Sequence, residues 1–279
     1  MRVITDSTAD LPESILEEYK IEMVPLKVHF GEEQLLDWVD LKPDNFYDKL
    51  QKSNILPRTS QPSPAEFVEK YKQQDNNDVI FSIHISSQLS GTYQSAMMAK
   101  DMLPDMDIVV VDTKLGSVSH GMVVLEVARA VKEGKSKEEI LSLIDYLLAN
   151  IKMFFMVDTL EYLQKNGRIG KAQALLGGLL KMKPILTLVD GIVTPKDKVR
   201  GHQKALDRLV SLCLEEYGSD KPVQVAILHG NVLEEALKVK DKVEKTFNND
   251  EIIITVLGAV IGSHIGPGAV GIMMYHKYA

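Results

Sequence analysis

The chain has little cysteine, an acidic charge balance and no long apolar run. Cys213 is the one cysteine among its 279 residues, which excludes an internal disulfide and every cysteine-rich metal site. Lys and Arg number 32 against 39 Asp and Glu, a net charge of −7. A protein that follows nucleic-acid phosphates needs a concentrated positive surface, so we expect no nucleic-acid partner.

Membrane and export signals are also missing. No window approaches the ~18 consecutive apolar residues of a membrane span, so we expect no stable membrane insertion. The start, MRVITDSTADLP, lacks the charged and apolar regions of a signal peptide. These features predict a cytoplasmic protein.

The sequence contains partial matches to known catalytic and cofactor motifs, but none of them meets the structural requirements of its motif. GPGAVG (266–271) fits the dinucleotide pattern, but that pattern needs a following helix, and the few remaining residues look like a strand. Gly134-Lys135-Ser136 resembles the end of a P-loop, yet Ser136 and Glu139 are better explained as a capping box. No HExxH or GxSxG motif occurs, and the histidines lie at no recognised ligand spacing. We therefore predict no metal, no cofactor and no catalytic residue.

The first half alternates apolar, strand-like segments with helical ones. Such alternation is typical of a parallel sheet covered by helices. Asp10 is predicted to cap the first helix, with Pro12 in its first turn. The predicted strands are 3–4, 21–30, 78–86 and 107–113, and the predicted helices are 43–52, 64–74, 116–133 and 136–150.

The second half has a different order of strand-like and helical segments, which predicts a mixed sheet. Asp190-Gly191 separates two β-rich runs within 183–199, which indicates an antiparallel hairpin. Strand 223–230 and the stretch after 252 read as further strands, and helices are predicted at 202–217 and 232–247. We predict an α/β fold of two domains, 1–150 with a mainly parallel sheet flanked by helices and 151–279 with a mixed sheet and helices.

Polar segments stand where the strands of the first half end. They are Asp6-Ser7-Thr8, the segment 59–63 before Pro64, 86–92, and Asp112-Thr113. Ligands of open parallel sheets bind outside the carboxyl ends of the strands, where hydroxyls and free N–H groups attract anions. Each segment could equally be a helix cap, but together they indicate an anion site.

The glycine-rich end and two arginines add candidate residues. Glycines 258, 262, 266, 268 and 271 are costly in strands unless backbones approach something closely. His264 lies among them and could donate a hydrogen bond to an anion and supply charge near neutral pH, or be a structural turn histidine. Arg168 and Arg200, each beside a glycine, are candidate cations, with surface salt bridges as the alternative.

Taken together, these motifs resemble the DegV family of bacterial fatty-acid-binding proteins, and the resemblance covers essentially the whole chain. It rests on seven motifs in a fixed order: DSTADLP (6–12), RTSQPSP (58–64), SSQLSGTYQSA (86–96), VDT (111–113), GRIGKA (167–172), KPIL (183–186) and GSHIGPGAVG (262–271).

The resemblance implies a long-chain fatty acid buried in a tunnel between the two domains, with the second domain covering the acyl chain. Its carboxylate would be held by Thr59 or Ser60 and by Ser90, with Gly91, Thr92 and His264 nearby. The family also implies a non-catalytic carrier that presents the acid to a separate ATP-dependent kinase, which forms an acyl phosphate. Arg168 and Arg200 are then candidate contacts for the phosphate or the kinase.

Alternative functions remain open at this point. A small-molecule enzyme could use Asp6, Asp112 and His264 as acid–base groups on a carboxylated or phosphorylated substrate. A closed apolar tunnel favours the carrier, whereas a short polar cleft favours the enzyme. The leucine-rich segment 175–180 could line a tunnel, although core packing explains it equally well. A transcriptional or protein-interaction role is the third hypothesis.

Overall fold

The structure, a computed structural model, describes residues 1–75, 78–177 and 182–278. In the first half the elements are β1 (Arg2–Asp6), α1 (Glu13–Glu18), β2 (Glu22–Val24), β3 (Lys27–Phe30), β4 (Glu33–Leu36), α2 (Pro43–Lys52), β5 (Arg58–Ser60), α3 (Pro64–Lys72), β6 (Ile80–His84), α4 (Thr92–Asp101), β7 (Ile108–Asp112), α5 (Val118–Lys132) and α6 (Lys137–Asn150). In the second half they are β8 (Lys152–Met156), α7 (Glu161–Lys165), β9 (Met182–Val189), β10 (Ile192–Arg200), α8 (His202–Tyr217), β11 (Val223–His229), α9 (Leu233–Thr246), β12 (Asn249–Val256), α10 (Ala259–Ile265) and β13 (Val270–His276).

Four strands of the first half form a parallel sheet in the order β2-β1-β6-β7. Its central strands, β1 and β6, are buried on both faces, as a sheet covered by helices requires. Ile4 and Ile80 pack towards α3 and α4, whereas Val3 and Phe81 face α5. All four strands run the same way, so the segments that follow β1, β6 and β7 meet at one edge.

Six strands of the second half form the mixed sheet β10-β9-β8-β13-β11-β12, in which the β11–β12 pair is parallel and the other pairs are antiparallel. Alternate residues of β8 face opposite ways: Phe154 and Met156 pack under α8, and Met153 and Phe155 face the core shared with α5. The two-domain α/β class with a parallel and a mixed sheet is therefore confirmed. The division near residue 150 stays a prediction; it falls between α6 and β8.

The Asp190-Gly191 hairpin is confirmed as the connection between β9 and β10. Cys213 is buried in α8 as a small core residue, as its helical spacing predicts. Of the leucine-rich segment 175–180, residues 178–180 lie outside the described residues. Among the described helices, none has the length and apolar character that a membrane crossing requires.

Three local predictions are wrong. The extended piece 21–30 is two strands, and its second strand, β3, joins β4 and β5 in a small antiparallel sheet. The β-rich end contains a helix, α10, because distant carboxylates hold the N–H groups of its first turn. Asp10 does not cap α1, which begins after Pro12; its carboxylate instead accepts a hydrogen bond from the N–H of Gly258.

Candidate ligand-binding pocket

A narrow, mostly apolar pocket lies where the edge of the parallel sheet meets the mixed sheet, with about 720 Å³ of unoccupied volume, part of it open to solvent. The strand-end segments contribute Thr8, Ile85, Leu89, Ser90, Gly116 and Ser117, and the inner face of the mixed sheet contributes Met153, Phe155, Leu188 and Val193. The remaining lining residues are Leu26, Thr59, Ser60, Gln61, Leu163, Arg168, Val260, Ile261, His264 and Ile265.

Three predicted polar residues, Thr59, Ser60 and His264, line this pocket. Thr59 Oγ1 lies 2.8 Å from His264 Nε2, which joins β5 to α10 across 205 positions of sequence. Ser60 Oγ lies 2.9 Å from His29 Nε2 on β3. The small antiparallel sheet thus carries the predicted hydroxyls to the histidine of the glycine-rich end.

His264 is neutral at neutral pH in this arrangement. Burial, and to a lesser degree the positive charge of Arg168, lower its pKa to about 4. The expectation that it supplies charge near neutral pH is therefore wrong. Its buried Nδ1 has no hydrogen-bond partner among the described residues, so a proton there would be unsatisfied. The favoured tautomer has the proton on Nε2, which donates to Thr59 Oγ1 and leaves the threonine hydroxyl free to donate to a ligand.

The loop after β6 supplies the third hydroxyl. Ser90 lines the pocket, and its Oγ lies 2.8 Å from Thr92 Oγ1. Gly91 and Thr92 are not lining residues: Gly91 is the residue before α4, and Thr92 is buried in the first turn of that helix. Thr92 therefore orients Ser90 from behind the pocket wall.

Arg168 is the cation at the polar end, and it is exposed to solvent. Its Nε donates to the carbonyl of Leu89 at 3.1 Å and its Nη1 to the carbonyl of Asn166 at 2.9 Å. Asn166 in turn donates to the carbonyl of Ser263, 2.7 Å away and next to His264. The predicted Asn166-Gly167 turn thus fixes the arginine beside Ser90 and His264.

Arg200 is not part of this cluster. It is the exposed last residue of β10, seven positions beyond the lining residue Val193. At about 3.3 Å per residue, roughly 20 Å of strand separate the two. Arg200 therefore lies on the surface, and its contact with a phosphate or a kinase stays a prediction.

The glycines of the end segment approach the protein itself rather than a ligand. A β-carbon at Gly262 would lie 2.5 Å from the ring of Phe46, and one at Gly268 would lie 2.5 Å from the carboxylate of Asp158. One at Gly266 would lie 2.6 Å from the ring of Tyr162. These positions are glycine because α10 and the turn after it pack directly on α2 and on the segment after β8.

Apolar residues that sequence reasoning did not single out form most of the wall. Met153 and Phe155 alternate along β8, and Leu188 and Val193 face each other across the hairpin. MFFM (153–156) is apolar at every position, so the sequence indicates a buried strand, but only the assembled sheet shows which face meets the pocket. Gln61 lies within the predicted polar segment 59–63, but the sequence did not single it out as a site residue.

The acid–base groups of the enzyme hypothesis are not assembled at the pocket. Asp6 is fully buried, and its Oδ2 lies 3.0 Å from His84 Nδ1. His84 Nε2 lies 2.7 Å from Ser82 Oγ, so the three resemble a Ser-His-Asp relay, but all are fully buried and a substrate has no access. Asp112 instead accepts the N–H of Ser87 at 3.0 Å. Among the described residues, no group of three or more His, Cys, Asp or Glu is placed to hold a metal ion.

Comparison with known proteins assigns the chain to a family. The model of the DegV family, described as an uncharacterised protein family, matches residues 1–277. Protein DegV of Bacillus subtilis is 37% identical over 277 residues, which is 99% of this chain and 99% of that protein. The chain belongs to the DegV family.

Solved structures of the family share the whole fold. A DegV family protein from Thermus thermophilus, described by its fatty-acid binding, has a TM-score of 0.94 at 35% identity and 99% coverage of both chains. A protein from Eubacterium ventriosum described as binding stearic acid has a TM-score of 0.90 at 28% identity, and the match covers 100% of this chain and 99% of that one. Both descriptions concern those proteins and bear on the proposal below.

Proposed function

We propose that this protein binds one long-chain fatty acid in the pocket and presents its carboxylate to a separate ATP-dependent kinase, which forms the acyl phosphate. The observation that carries the proposal is the pocket itself. It is narrow and apolar along most of its wall, and it ends in hydroxyls, a neutral histidine and an exposed arginine. A wet catalytic cleft has a different shape and lining.

The acyl chain supplies most of the binding free energy in this proposal. A sixteen-carbon acid has about fifteen methylene and methyl groups beyond its carboxyl carbon, and each contributes about 0.8 kcal/mol on leaving water. The gross term is about 12 kcal/mol, and immobilising the chain offsets a substantial part of it. Met153, Phe155, Leu188 and Val193 form the apolar surface that receives the chain, so the second domain covers it.

The polar end holds the carboxylate. A carboxylate removed from water needs several donors, since otherwise it protonates. We assign the hydroxyls of Thr59 and Ser90 as direct donors, with Ser60 beside them and His264 behind Thr59. Gly91 and Thr92 shape the loop that carries Ser90.

The kinase step needs a head group that a partner can reach. Arg168 is exposed beside Ser90 and is suited to bind the transferred phosphate, because guanidinium groups pair with phosphate oxygens in a bidentate way. Arg200 lies on the surface farther along β10 and is assigned to the kinase contact. We infer a cytoplasmic location, because the proposed transfer uses ATP.

Mass spectrometry tests the binding proposal. Protein purified from a bacterial host, denatured and extracted with solvent, should release one long-chain fatty acid per chain, and delipidated protein should bind palmitate or oleate. The absence of both would rule out the carrier. The acyl phosphate should form only when the loaded protein, ATP and a bacterial fatty acid kinase are combined, as read by trapping with hydroxylamine.

The head-group assignment has a separate test. Combining Thr59→Ala with Ser90→Ala removes both direct donors and should weaken fatty-acid affinity by at least tenfold, because hydrogen bonds to charged groups contribute about 1.5–3 kcal/mol each. Titration calorimetry measures the change. Unchanged affinity in a folded double variant would refute the assignment while leaving the carrier proposal intact.

A further inference from the structure

Gln61 lies at the mouth of the pocket and has no part in the head-group assignment above. Its side chain lines the pocket and is exposed to solvent on the other side. Within 1–75, 78–177 and 182–278, its amide makes no hydrogen bond. An amide carries two N–H donors and an acceptor, so this group has unused capacity at the polar end.

The amide of Gln61 lies directly on Gly91, and this contact joins the two loops that carry Thr59 and Ser90. A β-carbon added to Gly91 would lie 2.8 Å from Cδ and 3.0 Å from Oε1 of Gln61, closer than packed atoms tolerate. Among the described residues, the three atoms nearest to that position all belong to the side chain of Gln61. The space above Gly91 is therefore occupied by this one amide.

The backbone does not require glycine at position 91. Its φ of −75° and ψ of 7° are accessible to any L-residue. Glycine is also no better than Ser, Asn or Asp at the residue before a helix, where Gly91 stands. The remaining reason for glycine at position 91 is the space that its missing side chain leaves for the Gln61 side chain.

We propose that Gln61 is a further head-group residue: its amide N–H donates to the solvent-side carboxylate oxygen of the bound fatty acid, and Gly91 is glycine so that the amide can occupy this place. The inference rests on the proposed function and specifies its head-group site. Thr59 and Ser90 hold the acid from within the pocket, whereas Gln61 holds it from the mouth. Loss of the amide therefore speeds escape of the acid.

A double-mutant cycle tests the pairing of Gln61 with Gly91. Gln61→Ala should weaken palmitate affinity about tenfold, the lower end for a hydrogen bond to a charged group at an exposed site. Gly91→Ala should produce a similar loss, because its methyl displaces the amide. In the Gln61→Ala background, Gly91→Ala should have no further effect, since the displaced group is already gone. The loss should appear mainly in the dissociation rate.

Gln94→Ala is the matched control, because Gln94 is an exposed glutamine in the first turn of α4 that does not line the pocket. Its affinity should equal that of the wild type. Thermal unfolding of every variant shows whether it is folded. If the wild type binds palmitate and the four proteins of the cycle bind equally well, or if the two losses are additive, the proposed role of Gln61 is wrong.

A charge change gives a readout that loss of packing would not reproduce. Gln61→Glu has the same shape but places a second carboxylate against the acid, and we expect a loss of about a hundredfold at pH 8. The loss relative to wild type should shrink towards pH 5, where the paired glutamate protonates and becomes a donor. A loss that is independent of pH would overturn the proposal. If the wild type binds no fatty acid at all, the proposed function fails first.

Discussion

Two buried carboxylates hold the helix that carries His264. Asp37 Oδ1 accepts the N–H of Ala259 at 2.8 Å and that of Val260 at 3.3 Å, and Asp10 accepts the N–H of Gly258 at 2.9 Å. Burial raises the pKa of Asp37 to about 7 and that of Asp10 well above its usual range. The ionised form of Asp37 is therefore costly, although α10 uses it as a cap.

This cost predicts a specific dependence of stability on pH. The folded protein keeps the Asp37 proton up to about pH 7, whereas an unfolded aspartate releases its proton near pH 3.9. The folded state binds more protons between these values, so the contribution of Asp37 to stability falls as pH rises from about 4 to 7 and is constant above. Asp37→Asn removes this slope. Relative to wild type, its free energy of unfolding should rise by roughly 2–3 kcal/mol between pH 5 and pH 8.

Urea denaturation at several pH values measures this difference. Asp40→Asn is the matched control, because Asp40 is an exposed carboxylate of the same turn. Asparagine keeps an oxygen for the N–H groups of Ala259 and Val260, so α10 stays capped. Curves for wild type and Asp37→Asn that run parallel across this pH range would contradict the assignment.

At the scale of elements, two helices begin with the same capping box in different surroundings. Ser63 and Glu66 form one at the start of α3, and Ser136 and Glu139 form the other at the start of α6. Glu66 also pairs with Lys27 of β3 at 2.8 Å, which ties α3 to the small sheet that carries Thr59. Neither Ser136 nor Glu139 lines the pocket.

The two boxes allow stability and binding to be separated. Ser63→Ala and Ser136→Ala should each lower the free energy of unfolding by about 1 kcal/mol, the usual cost of losing a cap. Only Ser63→Ala should also weaken fatty-acid affinity, by a few-fold, because the loop 59–61 loses its fixed end. Chemical denaturation and calorimetry on both variants measure the two effects. Equal affinities would show that the loop holds its shape without the box.

Elements specified by local chemistry could be predicted from the sequence, and elements specified by distant residues could not. The Ser136 box and the Asp190-Gly191 turn act within a few residues, and both were predicted. Helix α10 was missed because AVIGSHI is rich in β-branched residues and glycine, which are poor helix formers. Its N–H groups are satisfied by Asp37, more than 200 positions away.

The same distinction applies to the candidate site. Thr59, Ser90 and His264 were named from motifs, and the structure brings all three to one pocket. The place of Gln61 could not be predicted, since it depends on two loops that only the folded chain brings together. Arg200 was grouped with Arg168 by sequence pattern, but only Arg168 lines the pocket, and Arg200 is the exposed last residue of β10.

At the scale of the whole molecule, the β9–β10 hairpin docks the mixed sheet onto the strand-end loop after β6. Ser86 Oγ donates to the carbonyl of Gly191 at 3.1 Å, and a β-carbon at Gly191 would collide with that hydroxyl and lie 3.2 Å from the Ser86 β-carbon. Leu188 and Val193 flank this contact and line the pocket. The fit of the hairpin against Ser86 thus sets the position of one pocket wall.

A pair of glycine variants isolates this docking contact. Gly191 and Gly134 have almost the same positive φ, 79° and 77°, but no atom of the described residues lies within 4 Å of a β-carbon at Gly134. Gly134→Ala should therefore cost only the backbone strain, about 1–2 kcal/mol. Gly191→Ala should cost that amount plus about 1–3 kcal/mol for the collision with Ser86. It should also weaken fatty-acid affinity, because the wall that carries Leu188 and Val193 is displaced.

Chemical denaturation and palmitate binding of the two variants show whether Ser86 can move aside when a methyl group is added at position 191. If Gly191→Ala loses more stability than Gly134→Ala and binds palmitate more weakly, the two sheets are held at a fixed spacing that the pocket requires. If both variants lose the same stability and bind equally well, Ser86 moves aside without cost, and the hairpin does not set the pocket wall. In that case, adding Ser86→Gly to the Gly191→Ala variant should restore no stability. If the contact is rigid, the same addition should restore part of the stability that Gly191→Ala loses.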